Sequence, residues 1–158
     1  MKKNSPALEN KETKPVFDCK RCGHCCFGEG GIVVGPRDLP RLCAELGLDA
    51  ASFIARYTYE RGGKIKIRST DNKYCVFFVP GKGCSVHEAK PDICRAWPFF
   101  RGNLVDSASL ALAKEFCPGI AADIKHDDFV REGLHYLEEH SLTASDPIKE
   151  ANALMVLP

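Results

Sequence analysis

Residues 17–31 read FDCKRCGHCCFGEGG, and this stretch decides how the rest of the chain is read. Cys19, Cys22, Cys25 and Cys26 stand in it as CxxCxxCC. Gaps of two residues let successive thiolates turn toward one centre while the intervening amides point at the sulfurs. Gly23 allows the tight backbone that such a loop requires. Further along the chain, Cys75 and Cys84 bracket a short apolar run and its turn. Cys94 precedes Arg95, and Cys117 precedes Pro118. The ninth cysteine, Cys43, shares a helical stripe with Leu39, Leu42 and Leu46, and reads as a core residue. Eight candidate ligands remain: Cys19, Cys22, Cys25, Cys26, Cys75, Cys84, Cys94 and Cys117.

The chain around them is ordinary. Its 158 residues are 44% hydrophobic and 27% charged, the usual mix for a folded domain. Twenty-two basic and 21 acidic side chains leave a net charge of +1, which argues against a nucleic-acid-coating protein. The longest apolar run, residues 75–79, is far too short for a membrane span. No apolar segment follows the N-terminal lysines, so no secretory leader is expected and the expected compartment is the cytoplasm. There, reduced thiolates hold metal rather than bridge in pairs. A protein partner is compatible with this composition, but no residue names one.

The metal is left open between two chemistries. Widely separated CxxC pairs are the usual zinc pattern. Three cysteines at CxxCxxC, with a remote cysteine before proline, instead match a bacterial ferredoxin cluster, and Cys117-Pro118 fits that habit. The spacing therefore favours an iron–sulfur cluster, 4Fe-4S in type, with zinc as the alternative. Adjacent side chains diverge in an extended backbone, so Cys25 and Cys26 do not easily share one ion. Eight donors also exceed one four-cysteine centre, which leaves either two centres or one centre flanked by spare thiols.

His24 and His87 are secondary ligand candidates, and Arg95 stands ready to offset the charge of bound thiolates. Trp97, Phe99, Phe100, Phe77 and Phe78 are expected to form a dry wall over the metal. The glycine-rich residues 28–31 lack the lysine and hydroxyl of a phosphate loop. No catalytic residue can be assigned.

Taken in order, these motifs resemble a known family. CxxCxxCC, a cysteine ahead of Phe77-Phe78, Gly83-Cys84-Ser85-Val86 and the run from Lys90-Pro91 through Cys94 to Phe99 are similar to the YkgJ-type cysteine-cluster family. The resemblance covers residues 17–119. The family often has Arg where this chain has Lys90, and an aromatic where it has His87. The resemblance implies a zinc- or iron-chelating domain, and one relative methylates flagellin lysines.

The expected fold is a small α+β domain pinned by metal. A polar tail (1–15) should precede a cysteine-cluster domain (16–120), with C-terminal helices (121–158) packed on it. Helices are expected over Asp38–Leu46, from an Asp49 cap through Tyr57, from Pro91 to Trp97, over 127–140, and from Asp146-Pro147 to about Met155. The 127–140 helix should bury Val130, Gly133, Leu134 and Leu137. Strands are expected at 32–34 and 64–68, and a hairpin joins 75–79 to 84–87. The function expected is an iron–sulfur protein for electron transfer, sensing or maturation. The alternatives are a zinc-stabilised interaction module and an enzyme of the flagellin-methylating type.

Overall fold

An aspartate or a glycine sets several of the helix boundaries. In the computed structural model, which describes residues 14–155, α1 (Asp38–Leu46) ends at Gly47, whose φ of 64° closes the last turn. Asp49 then accepts from the Ser52 N–H and starts α2 (Ala50–Tyr57). Both helices follow the expected bounds. All of the tail expected at 1–15 except Lys14 and Pro15 lies outside the described residues.

β1 (Thr58–Arg61) and β2 (Lys64–Ile67) form an antiparallel hairpin, with Thr58 opposite Ile67 and Arg61 opposite Lys64. The strand expected at 32–34 is reduced to a bridge between Val33 and Lys66. It still donates Val34 N–H to the Ile65 carbonyl and accepts Ile67 N–H at Ile32. Glycines before it and Gly35-Pro36 after it keep it short. The second hairpin is smaller than expected. β3 (Phe78–Val79) pairs with β4 (Gly83–Cys84), while the Phe78 N–H turns back to the Cys75 carbonyl and bends the chain there.

Helices make up the rest. α3 (Asp92–Ala96) begins after Pro91, as expected. α4 (Arg101–Val105) and α5 (Ser107–Phe116) were not anticipated. The signal for α5 was present: Asp106 caps it through Ala108 and Ser109, and Leu110, Ala113 and Cys117 repeat at helical spacing. In α6 (His126–Glu139) the buried stripe is Phe129, Gly133 and Leu137. Leu134, expected inside, is 44% exposed, because the Phe99 ring packs on Gly133 and turns that line of the helix inward. The last expected α-helix does not form. Asp146 caps only a turn, accepting from Ile148 and Lys149, and a 3-10 segment at Asn152–Leu154 follows.

Two apolar cores result. The larger, helical core holds Phe99, Leu104, Leu110, Phe129, Leu137 and Leu142 among others. The smaller core gathers Val34, Leu42, Phe53, Ile67, Phe77 and Val86 around the two hairpins and α1–α2. Ile32 packs against both. A partly buried ion cluster also links them. The Arg41 guanidinium donates to Asp38, to Asp92 and to the Lys90 carbonyl, and the Asp92 N–H donates to Asp38.

Candidate metal centre

The CxxCxxCC loop lies across the seam between these cores, and its two ends are held by different partners. On the helical side the Asp18 N–H donates to the Gly119 carbonyl at 2.9 Å, and Ala121 donates to Val16. Phe17 bridges Ile120 on the same edge. These bonds set Cys19 beside the turn that carries Cys117. On the hairpin side the Cys75 N–H donates to the Cys26 carbonyl at 2.8 Å, and Phe27 bridges Tyr74. Between them Gly23, at a φ of 83°, lets the chain turn into a 3-10 segment over His24–Cys26. The Phe78 ring occupies the space where a Cβ on Gly23 would sit.

All eight expected cysteines line one cavity of about 430 Å³. Cys43 does not. It is buried in the smaller core, as its helical stripe implied. The thiols range from exposed (Cys19, Cys22, Cys25) through half-buried (Cys26, Cys84, Cys94) to buried (Cys75, Cys117), and all are free. The neighbouring thiols of Cys25 and Cys26 shift each other's acidity in opposite directions.

The aromatic wall is partly as expected. Phe77, Trp97 and Phe100 line the cavity, joined by Phe17, Phe116 and Tyr136, which sequence spacing did not single out. Phe99 instead turns into the helical core, and Phe78 stacks on Tyr74, 4.6 Å between centroids. The Trp97 indole N–H donates to the Cys117 sulfur at 3.4 Å. His24 and His87 also reach the cavity wall.

The charge of the wall is what the sequence concealed. Lys20, Arg21, Lys90 and Arg95 line the cavity against one carboxylate, Glu29. Cations there favour thiolates and offset the negative charge of any thiolate-bound metal. Arg95 is in the lining as expected, but the cation acting on all three of Cys25, Cys84 and Cys94 is Lys90, joined by Arg21 at Cys84.

The thiols differ in acidity for physical reasons. The hydrogen bond from Cys26 lowers Cys25 to about 6, and it raises Cys26 in return, with burial adding to the rise. Burial pushes Cys75 up to about 11. It also raises Cys84 and, further, Cys94, whose neighbours Cys75, Cys25 and Cys84 add their repulsion. A cation that replaces these protons removes that repulsion, so the buried thiols hold metal and proton in competition.

The donor set therefore fits a thiophilic metal: soft sulfur donors, a cationic rim and aromatic walls that limit water. Among the described residues, no three His, Cys, Asp or Glu side chains already stand close enough to hold an ion. A bound metal has to draw its ligands in from the walls. None of the described helices is long and apolar enough to cross a membrane.

A family model, CxxCxxCC, described as a "putative zinc- or iron-chelating domain", matches residues 18–118. No curated protein and no solved structure matches the chain.

Proposed function

Because the chain belongs to this CxxCxxCC family of metal-chelating domains, we propose that its cavity holds an iron–sulfur cluster used in electron transfer, sensing or maturation of another protein. One observation carries the reading: eight thiols line a single cavity of about 430 Å³. That is more sulfur and more space than one tetrahedral ion takes up, whereas a cluster brings its own sulfide and needs room for it. Bound there, the cluster would supply one-electron chemistry. The chain's own part is to hold and tune it. Cysteines at the seam provide the ligands, and Lys90 with Arg95 offsets their charge. Phe77, Trp97 and Phe100 limit water on the cavity wall.

Protein purified without oxygen should be brown, with acid-labile sulfide close to its iron content. Colourless protein carrying zinc alone, after growth with ample iron, would overturn the cluster and leave a zinc-stabilised module. One observation favours zinc for part of the site. The Nδ1 of His24 lies 2.8 Å from the Phe116 carbonyl, and a histidine anchored in this way is a common zinc ligand.

A further inference from the structure

We propose that the eight thiols divide into two subsites. The inner one, Cys25, Cys75, Cys84 and Cys94, takes the cluster. The outer one, Cys19, Cys22 and Cys117, is completed by His24 and takes a zinc-type ion. This division rests on the metal reading above and deepens it.

Hydrogen bonds and strand pairing set Cys19, His24 and Cys117 on one side of the loop and Cys75 and Cys84 on the other before any metal is considered. Cys19 is tied to the Cys117 turn through Asp18 and Gly119, and His24 to the same turn through Phe116. Cys75 is tied to the other end of the loop through Cys26, and Cys84 lies opposite Phe78 in the second hairpin. The inner thiols also share an electrostatic environment. Cys25, Cys75, Cys84 and Cys94 line the cavity wall that also carries Lys90. A bulky cluster of net negative charge belongs beside that lysine.

The outer donors carry the marks of a zinc set. A carbonyl oxygen cannot donate, so the 2.8 Å contact with Phe116 places the proton on His24 Nδ1. Nε2 then presents its lone pair. Metal-bound histidines are held this way, with the other ring nitrogen donating to a backbone carbonyl. The Trp97 indole N–H does the same service for Cys117, donating to its sulfur. Three thiolates and an imidazole make a common structural zinc set. Cys26 is left outside both subsites, as the chain neighbour of Cys25 whose carbonyl accepts from the Cys75 N–H. The division cuts across the contiguous CxxCxxC triplet, with Cys25 parting from Cys19 and Cys22.

The test is metal analysis of the full chain, grown with iron and zinc both supplied and purified without oxygen. Wild type should contain zinc together with iron and sulfide. His24→Asn should bind zinc at least about tenfold more weakly in competition with a chelator, while iron, sulfide and visible absorption stay unchanged. His24→Cys should restore zinc, which separates a lost ligand from a damaged fold. Cys84→Ser should do the reverse, losing iron and sulfide and keeping zinc. Three results overturn the division: wild type with iron and sulfide but no zinc, His24→Asn with unchanged zinc affinity, or either variant losing both metals together. A wild type devoid of metal would instead defeat the proposed function itself. Zinc at both subsites would defeat only the iron reading, and His24→Asn would still decide the division.

Discussion

The two cores are built from the same kinds of side chain but differ in self-sufficiency. The helical core buries Phe99, Phe129, Leu104, Leu110, Leu137, Leu142 and Leu154 between helices and turns that satisfy their own backbone. Cysteine is a minor part of it, through Cys117 and the neighbouring Cys94. The hairpin core is smaller, and its sheets have two strands each. Two-stranded sheets are marginal in water without further support. Three of the candidate ligands, Cys26, Cys75 and Cys84, belong to or pack on that core. On the proposed reading, metal at the seam would do unequal service: it would join the halves, but supply to the hairpin side a stability that the helical side already has from packing.

Changes at the seam should have the largest effects. Cys94→Ser removes a proposed inner ligand that also packs on the helical core. It should abolish iron and sulfide binding and disorder the hairpin half, while far-UV circular dichroism keeps most of its helical signal. Loss of both halves together would mean that the cores are not separable. Next comes Phe129→Ala, which empties the centre of the helical core at a fully buried position. Denaturant unfolding should show a loss of about 3–5 kcal/mol. Metal content per folded chain should stay the same, because the ring lines no part of the cavity.

Much of this arrangement was legible in the chain because cysteine spacing and helix caps are local signals. Asp49 and Gly47 fixed two helix ends, and the stripe of Leu39, Leu42 and Leu46 separated Cys43 from the ligand candidates. The eight cysteines selected by spacing are the eight that line the cavity. What was missed depends on distant contacts. β1 lacks an alternating pattern strong enough to announce it, and forms because β2 is there to pair with. Leu134 looked buried until Phe99 settled on Gly133 and rotated the inward stripe of α6. Nothing in the spacing marked Lys90, because the thiols it acts on, Cys25, Cys84 and Cys94, come from three separate segments.

The link between the cores has a pH signature of its own. Burial and the nearby Asp92 carboxylate lift Asp38 to about 6, against its two backbone donors and Arg41. The folded chain therefore holds this proton more tightly than the unfolded chain, whose aspartate titrates near its ordinary 3.8. The group's contribution to stability falls as pH rises from about 4 to about 6. Unfolding midpoints of wild type minus Asp38→Asn should drift downward across that window, and a flat difference would place the Asp38 titration elsewhere. The smallest effect is expected at Cys43→Ala, which trims a sulfur from the hairpin core. It should cost about 1 kcal/mol and leave metal content unchanged. Loss of metal there would return Cys43 to the ligand set.

Hydrogen exchange, followed by mass spectrometry before and after chelation, tests the unequal seam most directly. Stripping the metal should speed exchange strongly in β1–β4 and in the CxxCxxCC loop. Amides of α5 and α6 should keep most of their protection. Equal acceleration in both halves, or none in the hairpins, would contradict a metal that holds together one core more than the other.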